Sequence, residues 1–282
     1  MKNFENYLQQ QQYSRTSIKE YIRTANEFII WLETENLDVK QTAYTDVMAY
    51  IKHLQNKGVK PNSINTRLNS LRIYFNYLIQ IKQLSKNPAF KLRIKGIKKQ
   101  EVMEVLSEAQ LDELYKIFLS HKPNNLTYRH YHLQYTIALG LMMYQGINTS
   151  ILKKLLLTDF NLQEGTVFIS AGNTYNERIL TLQSKQIVPL LNYLNTTTGE
   201  YFIKQGAQSF QSLLEKRIVK LYGKSISVRQ IINSRIVLWL KEEPIRKVQY
   251  LTGMRYISSL NKYQKQNVDG LKKMVEKFHP LG

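Results

Sequence analysis

Apolar residues recur at α-helical spacing through almost all of this 282-residue chain, and the period changes only once. Between Asp159 and Leu182 it falls from roughly 3.6 towards 2. Thr166-Val167-Phe168-Ile169-Ser170 leads to a Gly172-Asn173 turn signal and then to Arg178-Ile179-Leu180-Thr181-Leu182. Side chains alternate across a strand but repeat every third or fourth residue along a helix, so this pattern predicts a mainly α protein with a small β-hairpin or sheet.

Before the hairpin, residues 1 to about 90 read as helices. Ser17 and Glu20 make a capping-box pattern ahead of Ile18, Ile22, Ala25, Ile29 and Leu32. Thr45 is the expected cap of a helix with Val47, Tyr50, Ile51 and Leu54 on its buried stripe, which Gly58 stops. Pro61-Asn62-Ser63 opens a longer helix that buries Ile64, Leu68, Leu71, Phe75 and Leu78. Its other face is Asn65, Arg67, Asn69, Arg72 and Asn76, which suits a phosphate-facing or groove-facing surface and equally a solvated one. Asn87-Pro88 ends this unit. The run from Lys91 to Gln100, with Lys95, Lys98 and Lys99, has no helical period and reads as a basic linker over 91–103. From 104 to 282 a second domain is expected. Ser107 and Gln110 box its first helix, long helices follow near 128–144 and 150–157, and after the hairpin stripes recur near 187–194, 209–222, 229–241, 245–251 and 270–278.

Composition narrows the function. Forty Lys and Arg against 21 Asp and Glu leave a formal charge of +19, too large and too spread out for one tail, so a polyanion is the expected partner. The absence of cysteine excludes disulfides and thiol chemistry, and the five histidines have no ligand spacing; neither a metal nor a cofactor is expected. No apolar window reaches membrane-spanning length and the first residues lack a signal-peptide core, so the expected location is cytoplasmic, with the nucleoid, and without a membrane partner.

Five segments together carry a resemblance. They are Tyr144-Gln145-Gly146-Ile147-Asn148, Leu155 to Phe160, Gly172 to Arg178, Arg229-Gln230-Ile231-Ile232-Asn233-Ser234, and Gly253-Met254 with Tyr263 nine residues on. In composition and order they resemble the motifs of the tyrosine recombinase, or phage-integrase-like, family over nearly the whole chain. The resemblance implies a helical core-binding, SAM-like DNA-binding domain over 1–90 and a catalytic-like domain over 104–282. It also implies a tyrosine that attacks a DNA phosphate, with Tyr263 as candidate nucleophile. In that chemistry two arginines and a His or Trp stabilise charge on the non-bridging oxygens, and a hairpin lysine protonates the leaving hydroxyl. Here those positions hold Asn148, Ile232 or Ile231, Met254 and Asn173, and Ile151 stands where an acidic residue is usual. Arg229 is a possible substitute donor. Arg178, Arg235 and Arg255 join Arg67, Arg72, Asn65, Asn69 and the linker lysines as DNA-contact candidates.

Three functions remain open from sequence. One is a catalytically impaired DNA-binding recombinase homologue acting as an accessory or architectural subunit in recombination or integration. The others are a divergent active enzyme using Tyr263 and a stand-alone DNA-binding regulator. The expected partners are duplex DNA and further recombinase protomers. The segment after Tyr263, with Val268, Leu271, Met274, Val275 and Phe278, has the stripe of an amphipathic helix that could insert into a neighbour.

Overall fold

The computed structural model describes residues 1–95, 104–204 and 206–264. The expected helix near 270–278, and Lys98 and Lys99, lie outside the described residues. The chain forms two compact units, Met1–Gln100 and Glu101–Gly282.

The first unit is helical: α1 (Lys2–Gln10), α2 (Arg15–Thr34), α3 (Tyr44–Asn56) and α4 (Pro61–Gln80). The buried faces follow the apolar periods, and Phe28 lies at their centre. Its ring meets Tyr50 and Phe75 edge-on, with centroids 4.9 and 5.6 Å away, the geometry that the ring quadrupole favours. Two expected caps move. α2 is capped by Ser14, whose hydroxyl accepts from the Ser17 N–H, while Glu20 pairs with Arg23. At α3 the cap position is Ala43, and Asp46 reaches back to its N–H at 2.8 Å; Thr45 lies inside the helix. In both cases a side chain three residues away satisfies an otherwise orphaned N–H, so the physics matches the expectation and the register does not. Pro61 does occupy the first turn of α4, where its missing N–H costs nothing.

Residues 91–95 correct the expectation of a free linker. Ala89 and Leu92 are buried in the core of the first unit, and Ile94 packs against it. The linker's first residues are therefore part of the fold, because they bring apolar side chains that α4 and its neighbours cover.

The second unit contains α5 (Glu108–Ser120), α6 (Leu126–Tyr144), α7 (Thr149–Leu152), α8 (Ser184–Thr196), α9 (Ala207–Tyr222), α10 (Val228–Glu242) and α11 (Ile245–Thr252). Ser107 and Gln110 exchange both bonds of the expected capping box. The hairpin forms as β2 (Thr166–Ile169) and β3 (Arg178–Thr181), with Phe168 opposite Ile179 and Val167 opposite Leu180. A short strand, β1 (Phe160–Asn161), adds antiparallel to β2 and makes a three-stranded sheet. The connection after β2 is a loop of 170–177 rather than a two-residue turn. Within it, the Gly172 N–H donates to the Tyr175 carbonyl, and a Cβ on Gly172 would lie 2.5 Å from the Tyr175 ring. α7 is shorter than the expected 150–157 helix, since the chain from Leu155 pairs instead with Phe202 and Glu200. Among the described residues no helix is long and apolar enough to cross a membrane, and no cluster of three acidic or His side chains could hold a metal ion.

Burial also sets one titration. His132 lies between Phe118 and His121, its Nε2 2.8 Å from the Phe118 carbonyl. Desolvation pushes its pKa down to about 4, an effect that the Phe118 carbonyl opposes and the Arg217 charge reinforces. The unfolded chain takes up that proton near pH 6.5, so between about 6.5 and 4 the unfolded state binds more protons than the folded one. Stability should therefore fall as pH drops through this window, by roughly 3 kcal/mol in all. Urea denaturation at pH 7.5 and 4.5 checks this, and His132→Phe should flatten the difference whatever it costs at neutral pH.

Candidate functional site around Tyr263 and the polar face of α4

The C-terminal part of the second unit positions Tyr263. Ser227 caps α10, accepting from the Gln230 N–H, and Gly253 ends α11 in the left-handed region at φ 69°. A short 3-10 turn, Ile257–Leu260, then leads into a helical segment that carries Tyr263. The tyrosine is 4% exposed and packs among Ile236, Val237, Val248 and Leu260. Its O–H donates to Asn233 Oδ1 at 3.2 Å, and the Lys262 ammonium lies 4.7 Å from its ring centroid. Asn233 was not among the residues singled out from sequence. Its position in the fifth place of the Arg229 to Ser234 segment was the available signal.

The β2–β3 loop is tied to the chain that leads to this tyrosine. Arg178 crosses from β3 and donates through Nε to the Leu251 carbonyl at 3.0 Å and through Nη1 to the Asn176 carbonyl at 3.3 Å. A Cβ at residue 253 would lie 2.2 Å from Arg178 Nη1, so Gly253 is required by contact as well as by φ. The Asn176 N–H donates to the Gly253 carbonyl at 2.7 Å, Tyr175 bridges to Met254, and Arg255 donates to the Gly172 carbonyl at 2.9 Å. The structure thus brings the loop of Asn173 against the turn of Met254. Burial lowers the Arg178 pKa to about 10.

Each position that the resemblance assigns to catalysis has an identifiable structural state. Asn148 caps α7, its Oδ1 accepting from the Ile151 N–H at 3.0 Å, and Ile151 is buried. Ile232 and Met254 are half-buried and pack on the apolar cluster around Tyr263. Asn173 is exposed in the loop, and Arg229 is exposed in the first turn of α10. Among the described residues, the hydrogen-bond partner of the Tyr263 hydroxyl is an amide, which carries no net charge.

Two expected DNA contacts are corrected. Arg235 is buried, its two terminal nitrogens donate to the Glu108 carboxylate at 2.9 and 2.8 Å, and Nε donates to the Met143 carbonyl. Its donors hold the end of α6 to the start of α5 and are unavailable to a phosphate. Arg178 is likewise buried, as described above. Arg255 is exposed and keeps part of its guanidinium free.

The polar face of α4 is corrected in a similar way. Asn65 donates to the Ile94 carbonyl and accepts from the Ile94 N–H, both at 2.9 Å. Arg72 donates to the carbonyls of Ala89 and Leu92 and to Asn69. Asn87 donates to the Arg72 carbonyl at 3.0 Å and to Asn76 at 2.6 Å. Arg67 pairs with Glu27 at 2.6 Å. The amide stripe binds the chain's own backbone over 87–94, and Lys95, the next residue, is exposed. A stripe of short amides, in place of the longer Lys and Glu side chains of a solvated face, was the sequence signal for such a partner.

Two outcomes follow. Asn65→Ala removes both bonds to Ile94 and should cost about 1–3 kcal/mol by chemical denaturation, with faster tryptic cleavage at Lys91 and Arg93. Unchanged stability and cleavage would return Asn65 to an open surface. Tyr263→Phe keeps the packing and removes a single hydroxyl, so it should cost only about 0.5–1.5 kcal/mol.

Comparisons with known proteins fit this geometry. Residues 1–84 match the phage integrase N-terminal SAM-like domain. The chain is 29% identical to the TnP I resolvase of Bacillus thuringiensis over 242 residues, covering 82% of each chain. It is 24% identical to a tyrosine recombinase of Pseudothermotoga lettingae over 294 residues, covering 98% of each. Its fold is similar to the Tn1549 transposon integrase in complex with transposon right end DNA, with a TM-score of 0.66, 15% identity and 98% of each chain covered. It is also similar to a lambda integrase dimer bound to a COC' core site, at TM-score 0.66 and 13% identity over 94% of this chain and 76% of that one. A helical first unit that matches the SAM-like domain and a second unit with one small sheet agree with these likenesses: the chain is similar to proteins of the tyrosine recombinase, or phage-integrase-like, family over nearly its whole length.

Proposed function

We propose that this protein binds duplex DNA and acts in site-specific recombination or integration as an accessory or architectural subunit that does not itself cut DNA. The observation that carries the reading is the state of Tyr263: buried, bonded to Asn233, and set among apolar side chains that include Met254 and Ile232. A tyrosine attacking a phosphodiester needs fixed cations at the non-bridging oxygens and an acid for the leaving hydroxyl. Asn148, Ile232, Asn173 and Met254 supply neither. Losing one preorganised donor costs on the order of a hundredfold in rate, and donors that act as a unit fail together. The net charge of +19 supports binding, and relatives named as resolvases and recombinases support the process. In this reading the protein occupies a protomer's place on DNA while active recombinases supply the chemistry.

A second reading is favoured by exposed Arg229 and by Lys262 beside the Tyr263 ring. Under it, Tyr263 swings out on DNA and uses these cations as substitute donors.

One experiment separates the two. A duplex selected from a randomised library by binding is nicked to make a suicide substrate, and covalent adducts are sought with wild-type protein and Tyr263→Phe. The expected result is salt-dependent binding by both proteins and no adduct from either. A Tyr263-dependent adduct overturns the non-cleaving reading, and failure to bind any duplex at low salt overturns both.

A further inference from the structure

The first unit carries two patches of opposite charge on either side of one short turn. At the end of α2, residues 33–38 are all exposed, with carboxylates at Glu33, Glu35 and Asp38 and an apolar side chain, Leu37, that is 38% exposed. The chain then passes through a 3-10 turn, Val39–Gln41, into α3. That turn and the start of α3 form one side of a groove of about 590 Å³, and residues 84–91 form the other. Lys40, Lys86 and Lys91 rim the groove with no carboxylate among its lining residues. Tyr44 and Phe90, which also line it, are 57% and 68% exposed. Among the described residues, none of these three lysines or three carboxylates is in an ion pair.

An exposed aromatic pair inside a ring of unpaired lysines leaves apolar surface in water and charge without a counterpart, the features of an interface that still lacks its partner. We propose that the partner is a second copy of this chain, with the acidic turn of each copy seated in the lysine and aromatic groove of the other. Leu37 supplies the apolar contact to Tyr44 or Phe90, and the three carboxylates face the three lysines. Acidic turn and groove flank the same 3-10 turn, so one two-fold axis can make both contacts at once, as a self-complementary interface requires. A nucleic acid fits this face less well, because Glu33, Glu35 and Asp38 immediately precede the turn that lines the groove and would repel a continuous phosphate backbone. The contact is small, and the charge of +19 opposes association of free copies until salt or DNA screens it, so a dissociation constant on the order of 100 µM is expected near 0.15 M salt.

Analytical ultracentrifugation of the full chain without DNA tests the pairing independently of the recombination reading. Wild type should show a concentration-dependent dimer. Glu33→Lys with Glu35→Lys, and separately Lys86→Glu with Lys91→Glu, should each weaken self-association at least about tenfold, and an equimolar mixture of the two variants should recover it. Phe90→Ser, which leaves the charges unchanged, should loosen the dimer as well, and circular dichroism should show all variants folded, since the changed side chains are exposed. Wild type monomeric at every concentration, or a mixture that stays monomeric, would overturn the proposal. So would a lysine variant that dimerises normally but loses duplex binding, which would make the groove a nucleic-acid surface.

Discussion

The buried guanidinium of Arg178 holds together the parts of the second unit that matter for its chemistry. It reaches from β3 through the space left by Gly253 and bonds to the Leu251 carbonyl at the end of α11, so the sheet and the tyrosine-bearing segment share one hydrogen-bonded junction. Around it the Asn176 to Gly253 bond, the Tyr175 to Met254 bridge and the Tyr250 hydroxyl, which donates to the Ile179 carbonyl at 2.9 Å, close the same seam. Replacing this arginine would take the side-chain donor away from the Leu251 and Asn176 carbonyls. The seam therefore fixes the hairpin loop that carries Asn173 against the turn that leads to Tyr263.

The residues around Tyr263 and at the start of α7 have partners or packing within the fold. Asn148 is a helix cap, Ile232 and Met254 extend the apolar cluster, and Asn233 satisfies the tyrosine hydroxyl. Arg235 makes the same point from the other direction. It is a strong phosphate ligand by chemistry, yet its fork is satisfied by Glu108 and its Nε by the end of α6, where the helix dipole favours a cation.

In the first unit the equivalent constraint is the backbone of residues 87–94. Asn65, Arg72 and Asn87 give these residues hydrogen-bond partners that no helix or sheet provides, and Ala89 and Leu92 add burial. Polar residues on an exposed-looking helix face can thus serve the fold rather than a ligand. The cations left open on this unit include the lysines at the groove beside Tyr44 and Phe90.

Several features were legible in the residues alone. The helices, their buried stripes, the capping box at Ser107, the position of the hairpin and the excess of positive charge all depend on neighbours within about four residues, or on composition. The spacing of Tyr263 from Gly253 was legible too, and with it the resemblance to tyrosine recombinases. The partners of individual polar groups were not. Arg72 meets Leu92 across 20 residues, Tyr263 meets Asn233 across 30, and Arg235 meets Glu108 across 127. Whether an arginine or an amide faces a phosphate, water or a backbone carbonyl depends on which group packing brings within about 3 Å of it, and local periodicity carries no information at that range. The tertiary structure alone decided that the amide stripe of α4 holds residues 87–94, that Arg235 and Arg178 are internal, and that Tyr263 is buried against an amide.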